Sequence, residues 1–362
     1  MAKVGLLVPM LVQPDAMAND VLGMYHALRG RGHDVRIFAE RRGGGEVPIY
    51  PHGKMAGFLR DPDSVLIYHH AIGWALGIRL VCEARCRRIV KFHNVTPAHF
   101  YEGVNGDCVQ ACQTGREQVA RLAWAGCDRY LADSQYNLNE LTAEGADPAA
   151  GAVVPPFHKI ERLHALEADL AVLREYQDGR KNILMVGRIA PNKGHAHVID
   201  AFAVYNQEYN PDSRLILVGK GDDRTAAFHQ ALLARVKEHG LQEAVAFTGA
   251  VSDAALKAFY LAADVFVIAS AHEGFCVPLV EAMAMKVPVV ALGSSAVPET
   301  AGPTGLIWEA PDPYLFAESI HCLIAEEETR AAISAAGWRR YRKYFSNDRI
   351  ESRLFQALEG VL

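Results

Sequence analysis

Apolar residues along this chain fall into short runs that are separated by amphipathic segments. Continuous apolar runs are typical of strands buried on both faces, whereas surface helices place apolar residues at a 3.6-residue period. The alternation of the two patterns predicts a parallel sheet covered by helices. In the first half the predicted strands are Lys3–Met10, Asp34–Ala39, Ser64–Tyr68, Ile89–His93, Arg129–Ala132 and Val153–Val154, the predicted helices are Asp20–Arg31, Arg79–Arg88, Glu117–Ala125 and Gln135–Glu144, and Arg41–Gly45 is predicted as a loop.

The same alternation starts again after a double proline, Pro155-Pro156. Because proline lacks an N–H donor and restricts the residue before it, we place a domain boundary at Val153–Phe157. The second set of predicted strands is Asn182–Val186, Arg214–Val218, Val245–Phe247, Val265–Ile268, Pro288–Ala291 and Leu306–Trp308; the predicted helices are His197–Glu208, Phe228–His239, Asp253–Ala262, Pro278–Met285, Pro313–Glu326, Glu328–Tyr344 and Asp348–Leu358. We therefore predict an α/β protein of two Rossmann-like, doubly wound domains that bind ligands at the carboxyl ends of their strands.

Composition narrows the class of protein without naming a function. The chain has 362 residues, 37 basic and 42 acidic side chains and a formal charge of −5, which disfavours a nucleic-acid partner. No apolar stretch approaches the roughly 18 residues of a transmembrane helix. The first apolar run is short and contains Pro9, so we interpret it as a strand rather than a signal peptide. We expect a cytoplasmic protein with reduced thiols.

Two cysteine pairs raise the question of a metal. Cys82 and Cys86 are four residues apart, as are Cys108 and Cys112, and a histidine such as His93 would complete a zinc site. This spacing differs from the CxxC pairs of common zinc sites. We therefore expect cysteines on helix faces and no metal.

The segment Ser270–Ala284 carries the clearest chemistry. It follows a predicted strand, Gly274 permits a tight turn, and Pro278 suits the first turn of a helix. The start of a helix after such a turn is a ready site for a pyrophosphate, because backbone N–H groups converge there. The N–H groups that would converge belong to Gly274, Phe275 and Cys276.

Two carboxylates flank this anion site. Carboxylates accept hydrogen bonds from pairs of sugar hydroxyls, so one of Glu273 and Glu281 could hold a ribose and the other a hexose. An acid in the first turns of a helix also interacts favourably with the helix dipole. That alternative explains Glu281 and leaves Glu273 unexplained.

Two further loops follow predicted strands. Gly187 ends one strand, and Arg188 and Lys193 follow it on a loop that contains glycine and proline. Two cations at a strand's carboxyl end suit a diphosphate, although a solvated loop has the same composition. Gly219 and Gly221 follow the next predicted strand, without the third glycine of a dinucleotide fingerprint.

Together these segments resemble glycosyltransferase family 4, the retaining nucleotide-sugar glycosyltransferases of GT-B fold. The resemblance covers nearly the whole chain and is strongest over residues 182–302. It implies that Glu281 holds the ribose, that Glu273 faces the transferred sugar, and that Arg188 and Lys193 bind phosphate. It also implies donor contacts from Gly187, Gly219 and Gly274 and from the amides of Phe275 and Cys276.

The resemblance also implies an overall organisation. A GT-B protein has two Rossmann-like domains facing a cleft, and its final helix returns to the first domain. We accordingly expect an acceptor-side domain of residues 1–156 completed by residues 346–362, and a donor-binding domain of residues 157–345.

In the first half the segment Lys91–Pro97 resembles the family segment that places a histidine beside the donor sugar. The resemblance assigns that role to His93, although a histidine at a strand end is more often structural. Candidates for the acceptor side are Tyr68, His69, His70 and Asn94, whereas we interpret Ser134 as a helix N-cap. The chain departs from the family in the loop after the first strand, where Leu11–Asp20 lacks the usual Gly-Gly pair.

The resemblance implies a hexosyltransferase of polysaccharide assembly that needs no cofactor. The best match is mannose transfer from GDP-mannose to a glycan or polyprenyl-diphosphate-linked acceptor. Alternatives are a UDP-sugar-dependent transferase, an epimerase or phosphorylase of the same architecture, and a non-catalytic sugar-nucleotide-binding protein. A dinucleotide oxidoreductase is disfavoured by the glycine pattern.

A basic stretch leaves contact with a membrane open. Arg79, Arg85, Arg87 and Arg88 lie close together beside apolar residues. Such a face can rest on anionic lipid at the inner side of the cell membrane. A solvated charged face has the same pattern.

Overall fold

The computed structural model describes residues 1–11, 15–41 and 47–362, which divide into two compact units. Unit 1 consists of Met1–His99, Asp107–Lys159 and Asn347–Leu362, and unit 2 of Phe100–Gly106 and Ile160–Ser346. Most of the predicted Arg41–Gly45 loop, and part of the loop after the first strand, lie outside the described residues.

Unit 1 is built on a seven-stranded parallel sheet of order β3-β2-β1-β4-β5-β6-β7. Its apolar strands form the core together with α1 and the C-terminal helix α15, which contributes Ile350 and Leu354. The strands are β1 (Lys3–Met10), β2 (Asp34–Arg41), β3 (Ile49–Pro51), β4 (Val65–His70), β5 (Arg87–Phe92), β6 (Arg129–Ala132) and β7 (Gly151–Val153). The helices are α1 (Ala16–Gly30), α2 (Met55–Phe58), α3 (Ala75–Glu83), α4 (Gly106–Ala123), α5 (Gln135–Ala143) and α15 (Asn347–Ala357).

Unit 2 is built on a six-stranded parallel sheet of order β10-β9-β8-β11-β12-β13. The strands are β8 (Lys181–Val186), β9 (Ser213–Val218), β10 (Val245–Gly249), β11 (Val265–Ile268), β12 (Val289–Leu292) and β13 (Leu306–Trp308). The helices are α6 (Ile160–Ala165), α7 (Leu170–Tyr176), α8 (His195–Glu208), α9 (Ala226–Glu238), α10 (Asp253–Ala262), α11 (Val277–Ala284), α12 (Val297–Ala301), α13 (Pro313–Ala325) and α14 (Glu327–Arg340), which continues as a π-helix over Tyr341–Phe345.

The predicted α/β class is confirmed, and the largest differences lie in the helices of unit 1. Helix α4 begins at Gly106 and not at Glu117, because its first turns carry the glycines and polar residues that weaken a helical pattern. Helix α3 ends at Glu83, where Ala84 turns to extended backbone with ψ 134° and the chain enters β5. Among the described helices, none combines the length and the apolar composition needed to cross a membrane.

Candidate functional site

The strand order of unit 2 reverses between β8 and β11, which are adjacent in the sheet although two strands and three helices separate them in sequence. In open α/β sheets, ligands bind beside the carboxyl ends of the strands at the point where the strand order reverses. Gly187–Gly194 follows β8, and Ala269–Cys276 follows β11. The sheet therefore places two of the sequence-predicted segments at one edge.

At two positions in these loops another stretch of backbone lies so close that only glycine fits. Gly194 has φ +71°, and a Cβ there would lie 1.9 Å from the carbonyl oxygen of Ala269. Gly219 has φ +150°, and its Cβ would lie 1.9 Å from the carbonyl oxygen of Gly187. No side chain fits either place, so the loops after β8, β9 and β11 pack backbone against backbone.

Lys193 and Glu273, which are 80 residues apart, form an ion pair at this edge. The Lys193 ammonium donates to Glu273 Oε1 at 2.7 Å, and the two side chains are 17% and 8% exposed. The Glu273 N–H donates to Ser295 Oγ at 2.7 Å, which fixes the backbone of the glutamate. An ammonium group has three donors, so Lys193 can bind a ligand oxygen while it holds Glu273.

Arg188 is placed differently from Lys193. It is exposed, and its charge acts on Asp222, in the loop after β9. Hydrogen bonds from Arg224, assisted by the charges of Arg224 and Arg188, lower the pKa of Asp222 to about 2. The two predicted phosphate cations thus lie on one loop, Lys193 held by Glu273 and Arg188 at the surface.

The turn before α11 has strained backbone at Cys276. This residue is the N-cap of α11 and has φ +76°, a conformation that residues other than glycine rarely adopt. The Cys276 side chain makes no capping hydrogen bond to this helix. Burial, and then the charge of Glu273, raise the pKa of the Cys276 thiol, so it is protonated and a poor nucleophile. Such strain collects at ligand-binding turns.

Glu281 lies in α11 and is 5% exposed. Tyr260, on α10, donates its hydroxyl to Glu281 Oε2 at 2.9 Å. Burial and the charge of Glu281 raise the pKa of Tyr260, so the phenol remains a donor. This bond orients the carboxylate for which the sequence predicts a ribose.

Unit 1 has its own polar cluster at the carboxyl edge of its sheet. Asp20 lies on α1 after β1, His69 near the end of β4, His93 after β5 and Asp133 after β6. His69 Nδ1 lies 2.9 Å from His93 Nε2, and His93 Nδ1 lies 2.9 Å from Asp133 Oδ2. Both ring nitrogens of His93 therefore have partners within unit 1.

The same cluster contains a buried lysine. The Lys91 ammonium lies 2.5 Å from Asp133 Oδ1 and donates to the carbonyl of Val154. Asp20 Oδ1 accepts the N–H of Phe157 at 2.8 Å. Burial raises the pKa of Asp20 and lowers that of His69, because water no longer stabilises the charged forms.

The other candidates of unit 1 are spread over two faces of the sheet. Tyr68 and His70 are buried on the face opposite His69, where the Tyr68 hydroxyl lies 3.2 Å from His70 Nδ1 and His70 Nε2 donates to the carbonyl of Gly115 at 2.9 Å. Asn94 has φ +73° and donates to Asn137 Oδ1 at 2.8 Å. These three side chains have partners inside unit 1, and their acceptor role stays a prediction.

Ser134 accepts the N–H of Asn137 at 3.2 Å, so its predicted N-cap is confirmed. Sequence reasoning gave no role to Asp20 or Lys91, although Lys91 begins the segment that contains His93 and Asp20 ends the loop after the first strand. The signal that finds them is topological: both are polar residues at or just after strands that are adjacent in the sheet.

The basic stretch is only partly at the surface. Arg79 and Arg85 are exposed. Arg87 donates to the carbonyl of Val361 at 2.6 Å and to Asp63 at 2.8 Å, and Arg88 donates to the carbonyl of Gly126 at 3.0 Å. Two of the four cations therefore bind groups of unit 1.

Residues 174–340 match the family Glycosyl transferases group 1. Mannosylfructose-phosphate synthase from Agrobacterium fabrum is 33% identical over a match that covers 48% of this chain and 40% of that protein. GDP-mannose-dependent alpha-mannosyltransferase from Mycolicibacterium smegmatis is 29% identical over 81% of this chain and 78% of that protein. The chain thus spans less than half the length of the first relative and about four fifths of the second.

A solved structure shares the fold over nearly the whole chain. Anabaena HepE, in complex with UDP and glucose, superposes with a TM-score of 0.79 at 17% identity, over 99% of this chain and 100% of that one. Likeness at this identity defines the architecture, two parallel-sheet α/β units of the GT-B class.

Proposed function

We propose that this chain is a retaining hexosyltransferase, on the grounds that it has the GT-B fold and that its residues 174–340 match the family Glycosyl transferases group 1. The donor is a nucleotide-diphosphate sugar, which unit 2 binds. The acceptor is a glycan or a lipid-linked oligosaccharide of polysaccharide assembly. The reaction uses no cofactor.

The observation that carries this proposal is the Lys193–Glu273 pair at the edge where the strand order reverses between β8 and β11. One loop supplies an ammonium for a phosphate oxygen, and the other supplies a carboxylate for sugar hydroxyls. Because the two side chains are bonded to each other, they address adjacent groups of one ligand. A sugar joined to a diphosphate has that sequence of groups.

Catalysis then depends on charge stabilisation. The bond between the anomeric carbon and the diphosphate oxygen breaks, the acceptor hydroxyl attacks the same face, and its proton passes to the departing diphosphate. Lys193 and Arg188 stabilise the negative charge that grows on the diphosphate, a contribution worth about 10²–10³ in rate for a single donor. Glu281, oriented by Tyr260, holds the ribose.

The proposed donor is GDP-mannose. Support comes from the names of two relatives, a mannosylfructose-phosphate synthase and a GDP-mannose-dependent alpha-mannosyltransferase. Because the HepE structure contains UDP and glucose, a UDP-sugar is the second candidate for the donor.

The proposal also includes contact of this protein with an anionic membrane. Its support is the pair Arg79 and Arg85, which are exposed at and beyond α3, together with Ile72 before α3, which is 40% exposed. Flotation with phosphatidylglycerol vesicles tests it against neutral vesicles. A double variant R79A/R85A should no longer float, and equal flotation of both proteins would exclude this face.

A donor panel tests the proposed function. Thermal unfolding is followed with GDP-mannose, UDP-glucose, UDP-galactose and the bare nucleoside diphosphates, since a ligand that binds the folded state raises the Tm. NMR of sugar released from the stabilising donor, with and without a glycan extract, reports transfer and its anomeric outcome. Retention with one donor supports the proposal. Stabilisation without any turnover identifies a binding protein, and inversion excludes the mechanism.

A further inference from the structure

Two neighbouring loops of unit 2 are bonded to each other at Glu273. Residues 269–276 follow β11, and residues 293–296 follow β12, which pairs with β11 in the sheet. The Glu273 N–H donates to Ser295 Oγ at 2.7 Å, and the Glu273 carbonyl accepts the N–H of Ala296 at 3.3 Å. Both polar groups of the Glu273 backbone are therefore held by the loop after β12.

Bonds on either side of Glu273 extend this attachment. Ser294 donates its hydroxyl to the carbonyl of Ser270. Thr300, on α12, donates its hydroxyl to the carbonyl of Phe275 at 2.7 Å. Because Ser270 and Thr300 are buried, the loss of either bond would leave a polar group without water. The loop after β11 is thus fixed to the elements after β12 before, at and after Glu273.

The backbone of Ser295 is strained. It has φ +45°, in the left-handed region that residues other than glycine rarely adopt. Cys276, at the end of the loop after β11, has φ +76° and lies in the same region. A glycine would adopt the conformation of Ser295 without steric cost. What the serine provides in addition is its hydroxyl, which accepts the N–H of Glu273.

Glu273 is held by its side chain as well. The Lys193 ammonium donates to Glu273 Oε1 at 2.7 Å, and the glutamate side chain is 8% exposed. One loop therefore fixes the backbone of Glu273 and another binds its carboxylate. A shift of the Glu273 backbone would move the carboxylate relative to Lys193, so the bond to Ser295 controls the geometry of the ion pair.

We propose that Ser295 is a positioning residue for Glu273. Its hydroxyl holds the Glu273 backbone, so that the carboxylate and the Lys193 ammonium bonded to it lie where sugar transfer requires them. Ser295 acts through Glu273 and not on the donor itself. The role of Glu273 toward the sugar belongs to the proposed function, and the role of Ser295 rests on it.

Two substitutions separate the hydroxyl from the strain. Ser295→Ala removes the hydroxyl and keeps a side chain in the left-handed region, whereas Ser295→Gly removes both the hydroxyl and the steric cost. Ser295→Gly should therefore have a higher Tm than Ser295→Ala. Both variants should lower kcat about 10–100-fold, because a misplacement of about 1 Å is enough for such a loss.

The affinity for GDP should behave differently from kcat. GDP carries no sugar, so both Ser295 variants should bind it within about threefold of wild type, as expected when a substitution removes an interaction of the transition state. Isothermal titration measures this affinity, and initial rates of transfer measure kcat. A folded Ser295→Ala variant with wild-type kcat would overturn the positioning role. So would a kcat that follows the Tm, low in Ser295→Ala and restored in Ser295→Gly.

Lys286 provides the matched controls. It has φ +60° and lies exposed just after α11. Lys286→Gly should have a higher Tm than Lys286→Ala, for the same reason as at Ser295, and both should keep the wild-type kcat. Equal losses of kcat at the two positions would show that backbone strain, and not the hydroxyl of Ser295, is responsible.

Hydrogen exchange of the Glu273 amide tests the bond without any turnover. The amide should exchange at least about tenfold faster in both Ser295 variants than in wild type, because its acceptor is gone, and at the wild-type rate in both Lys286 variants. Unchanged exchange in the Ser295 variants would overturn the inference. A wild-type protein that transfers sugar from no donor would instead refute the proposed function, whatever the exchange rates are.

Discussion

Both units place polar side chains at the carboxyl edge of a parallel sheet, yet they build these places from different parts of the chain. In unit 1 the edge is filled by almost completely buried side chains. They form a chain of contacts that runs from Lys91 to Asp133, then to His93 and then to His69. In unit 2 the edge is shaped by backbone, with Gly194 and Gly219 at places where no Cβ fits.

This difference indicates which of the two units can bind a large anionic ligand. Side chains that satisfy one another leave little for a ligand to bind, whereas glycine turns expose N–H groups and let backbone approach closely. In unit 2, Arg188 also lies exposed at this edge of the sheet. We therefore assign the diphosphate to unit 2 and regard the cluster of unit 1 as support and positioning.

The largest effect should come from Lys193→Ala. If Lys193 stabilises the leaving diphosphate as proposed, removing its ammonium should lower kcat about 10²–10³-fold. Arg188→Ala should act in the same direction. Initial rates of sugar transfer or donor hydrolysis measure both. Lys237→Ala, at an exposed position of α9, is the matched control and should keep wild-type rates.

Loss of Lys193 also leaves Glu273 buried without its cation, which by itself destabilises the loop. The double variant K193A/E273Q removes that cost and should unfold at a higher temperature than K193A alone, while remaining inactive. Activity that returns in the double variant would show that Lys193 serves only to neutralise Glu273.

Substituting two glycines allows the cost of steric overlap to be measured separately from the cost of the left-handed backbone conformation. Gly194 and Gly240 both have φ +71°, but an added Cβ meets Ala269 at Gly194 and nothing within 4 Å at Gly240. Gly240→Ala should lose about 1–2 kcal/mol for the left-handed conformation. Gly194→Ala should lose about 1–3 kcal/mol more, because of the overlap.

Urea unfolding of both variants measures the difference in the free energy of unfolding. Equal losses at the two positions would mean that the loops after β8 and β11 do not pack as tightly as described.

Acid should weaken unit 1 through His70. Burial lowers its pKa from 6.5 to about 4, so as pH falls the unfolded chain takes up the proton before the folded one does. The stability that the neutral imidazole contributes is complete above pH 6.5 and is lost progressively down to about pH 4. At 1.36 kcal/mol per pH unit this amounts to about 3 kcal/mol.

Unfolding free energies measured across that interval test the effect. His70→Phe removes the titrating group and should flatten the slope, whereas His26→Phe, at an exposed position, should not. A slope that is unchanged in His70→Phe would place the acid sensitivity elsewhere.

A chelator should have the smallest effect. Excess EDTA should leave the affinity of unit 2 for GDP unchanged, since in the proposed function Lys193 and Arg188 supply the cations that bind the diphosphate. Isothermal titration with and without EDTA measures this, with added Mg²⁺ as the control. Affinity that disappears with EDTA and returns with Mg²⁺ would show that a metal holds the diphosphate.

The sequence predicts the sheets better than the helices, for a physical reason. A strand buried on both faces is a continuous apolar run, and β1, β6, β11 and β13 begin and end where that pattern places them. Short helices such as α6 and α12 depend on tertiary packing and show no period of their own. The sequence predicts only the C-terminal part of α4, because Gly106 and Gly115 weaken the helical pattern of its first turns.

The candidate site, like the fold, is predicted only in part by the sequence. Glu273 and Lys193 lie in recognisable segments, and the sequence places both near a ligand. Their direct bond, between residues 80 apart, depends on β8 and β11 being neighbours, which no local pattern reveals. The contact of Asp20 with His69 and His93 depends in the same way on the order of β1, β4 and β5 in the sheet.

Isothermal titration of one nucleoside diphosphate, GDP, into Lys193→Ala and His93→Ala tests the central assignment most directly. If unit 2 holds the diphosphate, Lys193→Ala should weaken binding at least tenfold, or about 1.4 kcal/mol. His93→Ala should stay within about twofold of wild type, because the proposed contacts to the nucleoside diphosphate all belong to unit 2 and both ring nitrogens of His93 have partners within unit 1. Binding that is lost in His93→Ala and kept in Lys193→Ala would contradict the assignment of the donor to unit 2.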